Sequence, residues 1–180
     1  MLVDPRSYPS LNDKSLLWRP ESQVLPHPDM QVSSWLLDPD SLTSRLRDMC
    51  PGRFNVQVLQ EQWQQQCHPS LLQCFPPHVA RARMWSRKVL LRCGNTPWVA
   101  AHSLIPVSSM EGPLKRLRSL DDRPLGEFLF QDPFLERQQL EVTRCGQIWG
   151  RRSLFYSHHR PLLVAEFFLP ALLEEDRRYL

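Results

Sequence analysis

The sequence predicts an α+β fold, a single domain in which helices pack against an antiparallel sheet. Three observations predict it. Strand-like runs follow one another through short, hairpin-like links, the order of antiparallel neighbours rather than of parallel crossovers. Helical spacing is confined to a few short segments. The chain has 180 residues, 42% of them apolar, which suits one globular domain with its own core.

Taken in order, residues 1–30 read as a poorly ordered lead-in, because Pro5, Pro9, Pro20, Pro26 and Pro28 interrupt any regular element. From Val32 the pattern turns helical through Trp35, Leu36 and Leu37 and stops at Asp38-Pro39. Asp40 or Ser41 then caps a second helix with Leu42, Leu46 and Met49 on one face, ended by Cys50-Pro51-Gly52. Phe54, Val56 and Val58 alternate with polar residues as a strand does. The Gln-rich, then Pro-rich stretch from Glu61 to Pro77 reads as a loop. Arg83 to Cys93 and Trp98 to Ile105 form a hairpin across Gly94-Asn95-Thr96-Pro97. Two short helices follow, one with Leu114, Leu117 and Leu120 and one beginning near Pro124 with Leu125, Phe128 and Leu129. Glu141 to Trp149, Arg152 to Tyr156 and Leu162 to Leu169 complete the strands, with a turn at Ser157-His158-His159-Arg160 and a stop at Pro170. The expected organisation is a lead-in over residues 1–30, a domain over 31–172 and a tail over 173–180.

Charge and motif content exclude several function classes. A net charge of +3, from 22 basic and 19 acidic side chains, is too balanced for nucleic-acid or membrane-surface binding driven by bulk electrostatics. The longest apolar run, Leu162 to Leu169, carries Glu166 and is far shorter than a membrane span. The N-terminus lacks an apolar signal-peptide core. Five cysteines without a CxxC pair are expected to be free thiols in a reducing compartment, which places the chain in the cytoplasm. Cys67, His68, Cys74 and His78 lie near one another but lack metal-site spacing, so a metal is not expected. No glycine-rich phosphate loop is present.

Two residues break the strand pattern. In the run from Trp85 to Leu91, Arg87 shares its face with Trp85, Val89 and Leu91. A guanidinium among core-facing side chains needs an anion, and its planar fork fits a carboxylate. That anion is either an internal acid or a ligand. Glu166 shares its face with Leu162, Val164 and Phe168. Burial disfavours a charged carboxyl, so Glu166 either pairs with a cation such as Arg87 or is poised to exchange a proton. Arg151 and Arg152 read as a solvated basic pair at a strand entrance, and His158 and His159 as turn residues.

Five stretches resemble bacterial chorismate pyruvate-lyase in order and spacing: Trp98-Val99-Ala100-Ala101, Ile105-Pro106-Val107-Ser108, Pro124-Leu125-Gly126, Trp149-Gly150-Arg151-Arg152-Ser153 and Pro161 to Pro170. The resemblance spans about Val32 to Pro170. It implies a six-stranded antiparallel sheet with short helical flaps over a buried site. It also implies a cofactor-independent carbon–oxygen lyase that converts chorismate to 4-hydroxybenzoate and pyruvate, the first committed step toward ubiquinone. Carried over, Arg87 binds the ring carboxylate, Glu166 lies at the hydroxyl end of the ring, and Leu42 and Leu125 contact the ligand; Arg87 and Glu166 are the expected catalytic pair. His102 stands where a relative has arginine. The expected partners are substrate and product alone, with no nucleic acid and no membrane, for a monomeric enzyme. The rival is a small-anion-sensing module, because effector-binding domains of some transcription regulators resemble this fold; the chain is expected to leave no room for their DNA-binding domain before Val32.

Overall fold

A computed structural model describes residues 4–65 and 69–177. Among these, six strands form one antiparallel sheet in the order β1-β2-β3-β6-β5-β4. The strands are β1 Phe54–Gln64, β2 Met84–Cys93, β3 Thr96–Pro106, β4 Glu136–Cys145, β5 Ile148–Ser157 and β6 Arg160–Phe168. The predicted hairpins form where the backbone can turn tightly. Gly94 takes positive φ, as do His158 and His159 at 50° and 61°, a conformation that two-residue hairpin turns demand; Gly146 does the same at a hairpin that was not predicted.

Both sheet faces are covered. One carries α1 Met30–Leu36, α2 Leu42–Met49, the 3-10 segment Gly112–Ser119, α5 Leu125–Leu129 and α6 Pro170–Asp176. Ser41 is the residue that caps α2, its Oγ accepting from the Ser44 amide. The other face packs Leu90, Leu104, Leu163 and Phe167 against α3 Pro69–Leu72, α4 Pro77–Ala80 and the N-terminal segment. Coverage on both sides is why β6 is apolar at both parities.

Four expectations are corrected. The lead-in is packed: Leu11 and Leu16 are buried, and Arg19 pairs with Val142 through two backbone hydrogen bonds. Its prolines prevent regular elements, but they do not prevent apolar side chains from docking on the sheet. The stretch taken as a loop from Glu61 holds the end of β1 and two short helices. The fourth strand begins earlier than expected and ends at Cys145, and the fifth begins at Ile148 rather than Arg152, because Gly146 supplies the turn. Finally, Cys50 and Cys93 are disulfide-bonded and not free. The end of α2 lies on the end of β2, with the two Cα atoms 5.8 Å apart, within disulfide reach. Cys67 and His68 lie outside the described residues, and Cys74 is buried in the core beside Phe75.

Candidate active site

Strand register builds the site. Glu61, Arg87, Ser103, Val164 and Ser153 lie in one row across β1, β2, β3, β6 and β5. Val89, Ala101, Glu166 and Arg151 form the next row. The middle positions, Ala101, Ser103 and Val164, are small. They leave a hollow between the long polar side chains at either side, where larger residues would have filled the layer.

The hollow opens as a cavity between the sheet and the helices over it. Leu42 and Thr43 of α2 wall one side, and Leu125, Gly126 and Leu129 of α5 close over it. The helices touch closely: a Cβ on Gly126 would stand 2.9 Å from the Thr43 hydroxyl. All four residues singled out in the sequence, Leu42, Arg87, Leu125 and Glu166, line this one cavity.

The polar pairing differs from the expected one. Glu166 does not pair with Arg87; its Oε2 accepts from Arg151 Nε at 2.5 Å. Arg87 is 2% exposed and donates from Nε to Glu61 at 2.8 Å, from Nη2 to the Asp121 carbonyl at 2.5 Å, and from Nη1 and Nη2 to the Arg123 carbonyl at 3.3 Å. Burial pushes its pKa down from the usual value, against the pull of Glu61. Of the five guanidinium protons, these contacts leave one on Nη1, and the two longest are the weakest. Arg87 therefore joins the sheet to the backbone between the two flap segments while keeping capacity for an anion.

Sequence reasoning missed three residues. Arg151 is no solvated arginine but is 1% exposed. It donates from Nη1 to the Trp35, Leu36 and Asp38 carbonyls, two of them from the last turn of α1, where helical carbonyls lack partners. Its signal was legible: a strand begun at Ile148 sets Arg151 on one face with Trp149 and Phe155. Glu61 and Arg137 were hidden by bulges, at Val58/Gln60 and Gln138/Glu141, which break the alternation that parity relies on. Arg137 lines the cavity from β4 and donates from Nε to Ser153 Oγ at 2.9 Å and from Nη1 to the Asp38 carbonyl at 2.7 Å. Burial, reinforced by Arg151, brings its pKa down to about 10. Arg152 points to the opposite face, paired with Glu141.

His102 lies on the face away from the cavity, 1% exposed. Its Nδ1 accepts from the Leu11 amide at 3.0 Å, which puts the proton on Nε2, facing Ser86 Oγ at 2.9 Å. Burial first, and Lys88 second, push its pKa down to about 3. It fastens the N-terminal segment to the sheet.

Three arginines against Glu166 and Asp40, in a hollow otherwise mostly apolar, define the chain as an α+β protein with an enclosed site for a small organic anion. The chain belongs to the chorismate lyase family, whose model matches residues 12–178. A Pseudomonas fluorescens (strain Pf0-1) protein named "Probable chorismate pyruvate-lyase 2" is 36% identical over 173 residues, covering 89% of this chain and 93% of that one. The chorismate pyruvate-lyase of Escherichia coli O7:K1 (strain IAI39 / ExPEC) is 36% identical over 168 residues, covering 92% and 97%. Among solved structures, the C-terminal domain of a histidine utilization repressor from Pseudomonas syringae pv. tomato str. DC3000 aligns with a TM-score of 0.47 and 11% identity, over 66% of this chain and 93% of that one.

Proposed function

We propose that this chain is a chorismate pyruvate-lyase, releasing 4-hydroxybenzoate and pyruvate at the first committed step toward ubiquinone. The observation that carries the reading is the cavity in which Arg87 and Glu166 stand on adjacent rows with only small side chains between them. Chorismate is a dianion whose ring becomes aromatic when the C3–O bond to the enolpyruvyl group breaks and the C4 hydrogen leaves as a proton. The leaving enolate takes up a proton and becomes pyruvate, so atoms and charge balance with no cofactor. Aromatisation drives the reaction, and the protein needs to orient the ring, exclude water and move one proton.

Arg87 anchors the ring carboxylate and fixes the ring over Ala101, Ser103 and Val164. Glu166, at the other end, hydrogen-bonds the C4 hydroxyl through the oxygen that Arg151 leaves free. Leu42 and Leu125 cover the ring and keep water out. Because the ring carboxylate stays in the product, 4-hydroxybenzoate keeps its hold on Arg87, and flap movement limits its release.

The test is incubation of the purified protein with chorismate, followed by 4-hydroxybenzoate absorbance. Product formation is expected; binding without turnover would leave the anion-sensing module instead. We expect the chain to act alone, since residues of one copy line the cavity, and sedimentation at working concentration should give a monomer, with no nucleic acid bound. Among the described residues no helix is long and apolar enough to cross a membrane. We assign the enzyme to the bacterial cytoplasm, since a dianionic substrate does not cross a bilayer unaided. The Cys50–Cys93 bond counts against that compartment, and alkylation of free thiols in freshly lysed cells decides between them.

A further inference from the structure

Of the three arginines that line the cavity, only Arg137 has no carboxylate within ion-pair distance among the described residues. Arg87 is compensated by Glu61, and Arg151 by Glu166. Arg137 hydrogen-bonds only neutral acceptors, Ser153 Oγ and the Asp38 carbonyl, while Glu166 and Asp38 act on it from beyond hydrogen-bond distance, and no described residue accepts from its Nη2. A buried guanidinium with no ion-pair partner in contact and a free Nη2 can accept an anion from outside the protein.

Its position indicates which anion. Arg87 rises from β2 and Arg137 from β4, four strand spacings apart in the sheet order, roughly 19 Å. The two arginine side chains reach inward from both ends and leave space between their guanidinium groups for one substituted six-membered ring. Chorismate carries two carboxylates, one on the ring and one on the enolpyruvyl arm. We infer that Arg137 binds the enolpyruvyl carboxylate, the group that leaves with pyruvate, while Arg87 holds the one that stays. The inference rests on the chorismate reading of the site. Arg151 is the poorer candidate, since Glu166 and the carbonyls of α1 and Asp38 already occupy its Nε and Nη1. An Arg137 that grips only the departing half lets pyruvate leave separately from the aromatic product.

The division makes the two arginines separable by experiment. Arg137→Gln should raise KM for chorismate and lower kcat/KM about 10- to 100-fold. Its Kd for 4-hydroxybenzoate should stay within about twofold of the unaltered protein, because the product lacks the arm. Arg137→Lys should restore part of the loss. Equal loss of chorismate turnover and 4-hydroxybenzoate affinity would overturn the assignment, as would unchanged kinetics. A second measurement needs no variant. Chorismate esterified on the enolpyruvyl carboxylate should be processed by the unaltered protein about 10- to 100-fold less efficiently, and an ester processed as well as chorismate sinks the idea. Failure of the parent reading would show separately, as no turnover of chorismate by the unaltered protein, and would take this inference with it.

Discussion

At the scale of single residues, the proposed chemistry rests on Arg87 and Glu166, and each is paired with a protein neighbour, Glu61 and Arg151. With Arg87 as the proposed anchor of the ring carboxylate, Arg87→Ala should cost about 2–4 kcal/mol of transition-state stabilisation. Steady-state kinetics check this, and values matching the unaltered protein would refute the anchoring role. Glu61, at 26% side-chain exposure, can turn to water when its partner is gone, so loss of fold should not mask the result. Glu166→Gln keeps the shape of the side chain, and Arg151 keeps its contacts to α1. The variant should fold and turn over about 10²-fold or more slowly if Glu166 moves the proton; full activity would exclude that role. Arg87 and Glu166 were legible in the sequence because each sits in an unbroken strand run where parity is dependable. Their partners were not, since pairing depends on which strands become neighbours.

At the scale of elements, the site depends on close approach. Gly150 on β5 lies against Phe167 of β6, and a Cβ there would stand 2.6 Å from its ring and 3.3 Å from the Thr143 methyl. Gly150→Ala forces that buried ring off its position. It should cost about 1–3 kcal/mol in stability, read as a lower midpoint in urea. An unchanged midpoint would show that Phe167 can yield freely. The bulges in β1 and β4 re-aim Glu61 toward Arg87 and Arg137 into the cavity, a common use of bulges near sites. They also made both residues invisible to alternation, and set the strand limits beyond the expected ones.

At the scale of the molecule, the N-terminal segment is part of the fold, and His102 is one of its fastenings. Folded His102 refuses a proton until about pH 3, whereas an ordinary histidine takes one near 6.5. Between those values the unfolded chain binds the proton that the folded chain does not. The stabilising contribution is therefore complete above pH 6.5 and declines as pH falls toward 3. Asp38 and Asp132, whose pKa values are also lowered in the fold, add their loss only below the usual carboxylate value of 3.8. The unfolding midpoint should drop between pH 6.5 and 4.5, and His102→Gln should flatten that drop. An equally steep drop in the variant would remove His102 from the account.

What the sequence by itself determined is the α+β class, most of the elements, and the two polar residues embedded in greasy strands. These follow from local rules, since side-chain alternation, turn residues and helix caps act over a few neighbours. Only the tertiary structure decided that Glu166 pairs with Arg151, that Arg87 leans on Glu61 and the flap backbone, that Arg137 enters the cavity, and that Cys50 meets Cys93. Each of those contacts joins segments that sequence spacing cannot bring together. Sheet order and bulge position set them, and both emerge only when the whole core packs.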